Sequence, residues 1–182
     1  MIYTDYFVLE QANIVQTGRT SGELYKTDKI PDLSGLDYIQ KDCLVSDRLK
    51  QLFEKYLPYN EWELAAFIDL DKSQNILKQI DYNSAPDKLD ANFDKILPEL
   101  EKTQEVFWKL NVLEYIPSES TVFGGNGLVK TLYLSDTPPP AVVFRVKSPP
   151  NYSPRIFSTI VHLSVAESIL RRKYTGANLV RV

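Results

Sequence analysis

One cysteine and one histidine, Cys43 and His162, are the only residues of their types in this chain, so any Cys–His nucleophilic pair has to be built from these two. Such a pair needs a thiolate beside an imidazole, and the imidazole oriented by a third group. Apolar residues adjoin both, Leu44-Val45 after Cys43 and Val161 and Leu163 on either side of His162. That setting suits a small buried thiol and a hydrogen-bonded core imidazole better than a reactive couple. A protein zinc site asks for three or four ligands, more than a lone Cys and a lone His supply.

Three other stretches carry hints of chemistry. Asp69-Leu70-Asp71-Lys72-Ser73-Gln74-Asn75 starts like an EF-hand loop, but Gln74 stands where the turn glycine belongs and Ile80 where the bidentate glutamate belongs. A turn after a strand is the expected structure there. Gly125-Asn126-Gly127-Leu128-Val129-Lys130-Thr131 hints at a phosphate loop, yet two residues separate the last glycine from Lys130 and no helix pattern follows. Gly124-Gly125-Asn126-Gly127 between two apolar runs is instead a hairpin signal, because Gly and Asn tolerate positive φ. The carboxylates Asp87, Asp90, Asp94, Glu99, Glu101 and Glu105 alternate with Lys88, Lys95 and Lys102 on a helical pattern, which describes a solvated face. No catalytic, cofactor-binding or metal-binding residue is assigned from these patterns.

Composition narrows the class. With 182 residues, 43% hydrophobic and 12% aromatic, the chain can bury a core without disulfide or metal staples. One domain over 1–182 is expected, or two lobes, 1–110 and 111–182. The net charge of −3 argues against general nucleic-acid binding, which needs clustered Lys and Arg against phosphates. A single cysteine suits a reducing compartment. Residues 1–10 carry Asp5 and Glu10 and lack a basic start, unlike a signal peptide. No apolar run approaches the roughly 20 residues of a membrane span. A cytoplasmic protein is expected.

The elements that must position these residues come from patterning. Residues 2–9 read as a strand and Leu24-Tyr25-Lys26 as a short one. Leu49, Leu52, Phe53 and Tyr56 form a helical stripe after Ser46, closed by Pro58. Trp62, Leu64, Ala66, Ile68 and Leu70 alternate as a half-buried strand. Residues 72–110 read as two or three helices broken at Pro86 and Pro98, the last turning Leu100, Val106, Phe107 and Leu110 inward. Strands are expected at Val112–Ile116, Thr121–Phe123, Leu128–Leu134, Ala141–Val146 and Ile156–Val161, with Pro138-Pro139-Pro140 and Ser148–Pro154 as connectors. Ser164 followed by Glu167 forms a capping-box pattern, Ala166, Ile169, Leu170 and Tyr174 a buried stripe, and Gly176 a helix C-cap before a last strand, Leu179–Val182.

Two of these segments match. Ser46, Leu52, Lys55 and Tyr56 correspond to Ser164, Leu170, Lys173 and Tyr174 at one constant offset, each after an apolar run. The expected class is therefore α+β: a mixed or antiparallel sheet, strand–Ser–helix–strand modules near each end, and a helical segment in the middle.

The wording of residues 42–56, around Leu44-Val45-Ser46-Asp47-Arg48-Leu49, and of 156–182, ending in Thr175-Gly176-Ala177-Asn178-Leu179-Val180-Arg181-Val182, resembles the immunity proteins of bacterial polymorphic-toxin systems. Tyr6-Phe7-Val8-Leu9 fits the same layout. The similarity spans about a third of the chain and leaves 71–150 unmatched. It implies a non-catalytic cytoplasmic antidote that binds a cognate protein toxin, without nucleic acid, membrane or cofactor. The alternatives are an adaptor module with another protein partner, or a small hydrolase or transferase using Cys43 or His162.

Overall fold

The computed structural model describes residues 5–11, 24–27, 35–134, 141–152 and 156–182. The expected strand residues 2–4, most of the loop expected over 15–40, the Pro138-Pro139-Pro140 connector and Pro154 lie outside them. The chain divides into two compact units that interleave in sequence, residues 1–13, 35–63 and 108–182 in the first and 14–34 and 64–107 in the second.

The first unit is built on a mixed sheet. Its strands are β1 (Tyr6–Gln11), β7 (Glu114–Tyr115), β10 (Val143–Lys147), β11 (Phe157–His162) and β12 (Ala177–Arg181), in the order β12-β1-β11-β10-β7. All neighbours are antiparallel except β10 and β7, which run parallel with Arg145 opposite Glu114. Because β1 lies between β11 and β12, the terminal strand–helix–strand module is split around it.

Side-chain alternation gives this sheet two buried faces. Leu9, Val143 and Val161 point to one face, where they join Leu49, Leu52 and Phe53 of helix α1 (Asp47–Glu54) and Val165, Ala166 and Ile169 of helix α4 (Leu163–Arg172). Tyr6, Val8, Phe144, Val146 and Ile160 point to the other, against Val129, Leu132 and Leu134. That second face is served by the hairpin of β8 (Val122–Phe123) and β9 (Val129–Thr131), whose turn closes through Gly124 N–H donating to the Leu128 carbonyl at 2.8 Å, with Gly127 at φ +78°. The glycine–asparagine turn thus forms as the sequence indicated.

Helix α1 follows from local chemistry. Ser46 is extended and its Oγ accepts from the Leu49 N–H at 3.2 Å, satisfying one of the orphan donors of the first turn. Asp47 adds a favourable charge at the positive end of the helix dipole. Burial of Leu49, Leu52 and Phe53, each at most 1% exposed, stabilises the helix by about 1.5–3 kcal/mol per side chain. Just ahead of it β3 (Tyr38–Ile39), a 3-10 turn (Lys41–Cys43) and β4 (Leu44–Val45) lead into the cap, and β4 pairs antiparallel with Trp108 and Lys109.

Helix α4 corrects the expected repeat. Its N-cap is His162, whose ring Nδ1 accepts from the Ser164 N–H, and Ser164 is already the second helical residue. Glu167 faces Arg171 at 3.6 Å rather than reaching back to close a capping box. The two helices therefore start at different points of the matched segments, and the phase differs by two residues. Leu52 is 1% exposed whereas Leu170 is 65% exposed. The left-handed residue ending α4 is Lys173, at φ 50°; Gly176, at φ +78°, belongs to the turn into β12.

The second unit holds β2 (Leu24–Thr27), the greater part of β5 (Trp62–Asp69), α2 (Leu70–Leu77), α3 (Pro86–Glu101) and the start of β6 (Gln104–Leu110). β2 runs parallel to β5, Leu24 opposite Ala66. Three expectations are corrected in this stretch. Ala65 and Phe67 are buried while Leu64 is 56% exposed, so β5 buries the face opposite to the one its alternation suggested. Helix α2 begins directly after Asp69, so the EF-hand-like stretch is helical rather than a turn. Helix α3 runs through Pro98 to Glu101, and what was expected to be a helix as far as Leu110 is strand β6. Thr103 ends the helix: its N–H and its Oγ1 both donate to the Leu100 carbonyl, at 3.0 and 2.7 Å. Phe67 and Phe107 then meet edge to face at 5.5 Å, and Ser73 bonds Thr103 across the unit.

Candidate functional site

Cys43 and His162 are held by different partners on different faces. Cys43 is 2% exposed and its Sγ lies 2.9 Å from Thr159 Oγ1, which also accepts from Tyr38 Oη at 3.2 Å. Burial pushes the Cys43 thiol up, and pushes the Tyr38 phenol well above its usual range. Its burial and its contact with Thr159 are the setting of a packed core thiol. His162 sits three residues beyond Thr159 on β11, so it projects from the other side of the sheet; its ring meets Tyr6 edge to face at 5.4 Å and bonds Ser164. The two residues that sequence alone could nominate for a nucleophilic pair are not brought together. Among the described residues no group of three or more His, Cys, Asp or Glu side chains converges as a metal site.

The carboxylates of the central helix are spread along α3, none of whose residues is buried. Asp87, Asp90, Asp94 and Glu101 recur at helical spacing and make one exposed acidic stripe, with Phe93 and Leu97 exposed along its border. The solvated face expected from sequence is there as far as Glu101, with an apolar margin, whereas Glu105, expected on the same helical face, lies on strand β6.

A second polar centre binds the first unit together. Asp37 is 5% exposed, and its carboxylate accepts from Ser46 Oγ at 2.6 Å, from Arg48 at 2.8 Å and from the Thr175 N–H at 2.7 Å. Arg48 also lies over the Tyr174 ring, and Tyr174 Oη donates to the Arg48 carbonyl. These contacts tie the α1 cap to the turn before β12. Ser46 serves as cap and donor.

A concave feature among the described residues of the first unit is a groove of about 740 Å³. Its walls are the turn after α1, from Tyr56 to Glu61, and the chain entering β7, from Asn111 to Glu114; Ala141, Val142 and Val143 close it. Val112 and Val143 are core residues, so the floor is rigid and apolar. The rim is different. Tyr59 is 96% exposed and Leu113 68%, and Ile116 just beyond is 83% exposed. Its lining charges among the described residues, Glu61 and Glu114, are both acidic. One end is pinned by Asn111, whose Nδ2 donates to Glu63 at 2.7 Å; with Lys109 this holds the Glu63 carboxyl below the usual carboxylate range.

Tyr56 and Pro58 were read in the sequence only as the end of a helix, and Tyr59 and Leu113 did not stand out. Tyr59 lies in a Pro58-Tyr59-Asn60 turn, outside any periodic pattern, and Leu113 lies in a run that reads as an ordinary strand. A bulky aromatic placed in a tight polar turn was the available signal. Large exposed apolar side chains around a preformed concavity are what protein-binding surfaces share.

No protein-family model, curated protein or solved structure matches the chain. The fold is α+β, and no helix among the described residues is long and apolar enough to cross a membrane.

Proposed function

We propose that this chain is an immunity protein, which binds a cognate bacterial toxin in the cytoplasm and blocks it without catalysis of its own. The observation that carries this is the groove of the first unit, where Tyr59 and Leu113 stand exposed over an apolar floor. An exposed tyrosine beside an apolar concavity is the kind of anchor around which binding energy concentrates once a partner covers it. The resemblance of residues 42–56 and 156–182 to immunity proteins supplies the partner class. The acidic lining, Glu61 and Glu114, suits a basic toxin surface.

The test is co-expression with the product of the neighbouring gene, which the proposal expects to be the toxin. Rescue of growth, lost in the Tyr59→Ala/Leu113→Asp double variant, supports the proposal. Growth arrest despite a folded, abundant wild-type protein would remove it. A second reading, an adaptor with a different protein partner, is favoured by α3, where Phe93 and Leu97 remain exposed beside Asp90 and Asp94. It leads to a stable complex with a non-toxin protein that Phe93→Ser abolishes and Tyr59→Ala does not.

A further inference from the structure

We infer that the groove of the first unit seats an arginine side chain of the bound protein, its aliphatic stem on the apolar floor and its guanidinium between Glu61 and Glu114. The seat presupposes that the groove is the partner surface of the proposed antidote, and it names the residue type that anchors the partner there. The two carboxylates belong to different walls, Glu61 to the turn after α1 and Glu114 to the chain entering β7, and both residues are exposed. Asp37, Glu54, Glu63 and Glu167 each hold an ion pair, whereas among the described residues neither Glu61 nor Glu114 does. Arg145 stands opposite Glu114 in the sheet, yet its guanidinium lies over the Phe157 ring at 5.0 Å and its buried Nε has no acceptor. Asn111 adds a further acceptor to the lining. Its Nδ2 donates to Glu63, which leaves its Oδ1 open among the described residues.

In the free protein water solvates both carboxylates. A partner that covers the groove removes that water, and an apolar, neutral or acidic residue set there leaves them buried without donors. A cation is therefore selected. Arginine suits acceptors spread over two walls better than lysine does. Its planar guanidinium carries five donors in a fixed fork, whereas an ammonium is a compact, strongly hydrated point charge. The exposed ring of Tyr59 offers a face on which a guanidinium stacks. Leu57, Val112, Val142 and Val143 supply apolar lining for the methylene stem. At about 740 Å³ the groove is larger than one side chain, so apolar neighbours of the arginine share its floor.

The test uses defined peptides and the whole chain. A fluorescein-labelled peptide Ser-Val-Arg-Val-Ser is titrated by anisotropy at low salt, beside versions carrying lysine or citrulline in place of arginine. Citrulline keeps the shape of arginine and loses its charge. Expected is saturable binding of the arginine peptide, weaker binding of the lysine peptide, and a loss of about tenfold or more with citrulline. Glu61→Gln with Glu114→Gln is expected to bring the arginine peptide down to the citrulline level and to leave the citrulline peptide unchanged. Both positions are exposed, so the double variant is expected to keep its fold, with the Tm as the check. Equal binding of the arginine and citrulline peptides, tighter binding of the lysine peptide, a preference for arginine that survives in the double variant, or no saturable binding would each overturn the arginine seat. So would N-acetylargininamide binding as tightly as the peptide, which makes the occupant a small molecule, or a dimer in sedimentation that the double variant dissolves, which makes it a second copy of this chain. Arginine-selective binding without rescue from the product of the neighbouring gene would remove the antidote and leave the seat. Rescue without arginine-selective binding would do the reverse.

Discussion

Replacing Asp37 by alanine removes a buried carboxylate that three donors share, and its cost can be worked from those contacts. Ser46 Oγ and the Thr175 N–H are the enclosed donors, at 2.6 and 2.7 Å. A hydrogen bond to a charged acceptor is worth about 1.5 kcal/mol or more, and the Thr175 N–H would be left without this acceptor. Arg48 adds little, about 0.5 kcal/mol, because its side chain is 56% exposed and the pair is screened by solvent. Relief of the carboxylate's own desolvation offsets part of the sum, leaving about 3 kcal/mol. For a chain of this length that lowers the Tm by roughly 6–12 °C. Urea unfolding followed by tryptophan fluorescence is the assay, since Trp62 and Trp108 both belong to the first unit. Asp37→Asn should lose less than Asp37→Ala, and Arg48→Ala about 1 kcal/mol including its contact with the Tyr174 ring. An Asp37→Ala loss under about 0.5 kcal/mol, or one no larger than that of Arg48→Ala, would refute the reasoning.

The matched segments separate under mutation: Leu52→Ala should cost about 2–5 kcal/mol and Leu170→Ala under about 0.5, because only Leu52 is in the core, and equal losses in urea unfolding would restore the repeat. Cys43 should resist a disulfide reagent in the folded protein and react fully in denaturant; rapid labelling of the native protein would contradict its packing. Because burial raises the Cys43 thiol above its unfolded value, the stability it confers is fully present below about pH 8.5 and is lost as pH rises through the folded value, with Tyr38 acting in the same direction above about pH 10. Cys43→Ser should therefore flatten the fall in Tm over the lower part of that alkaline range, and an unchanged slope would count against it. Lys50 lies between Trp62 and Trp108, 5.4 and 4.8 Å from their ring centres, so Lys50→Ala should cost about 1–2 kcal/mol and alter the native tryptophan emission.

Patterns that depend on short-range chemistry were legible in the sequence. Ser46 and the Leu49-Leu52-Phe53 stripe define α1, and the glycine–asparagine turn defines the β8–β9 hairpin. The α+β class followed from them. Errors arose where two periods fit the same residues. Phe107 and Leu110 are three apart, which suits a helix, yet Thr103 ends α3 and the stretch is extended. Ser164 looked like a cap because a Glu follows it, but the imidazole of His162 reached the donor first. On β5 the larger side chains named the wrong face, since small Ala65 beside Phe67 is the buried one.

The groove was not legible for a different reason. It is made by parts of the chain far apart in sequence, 56–61, 111–114 and 141–143, and its walls meet only once the sheet order is set. Composition shows how many aromatics the chain has, not which one the fold leaves outside. Cys43 and His162, in contrast, were conspicuous as single occurrences, and the sheet placed them on opposite faces.

Isothermal titration of this chain with the purified product of the adjacent gene tests the proposed antidote role most directly. Saturable one-to-one binding is expected, with a Kd at or below about 10 nM, weakened about 100-fold by Tyr59→Ala with Leu113→Asp in a protein of unchanged Tm. No heat of binding, or full affinity retained in that double variant, would contradict a toxin-binding groove at this site.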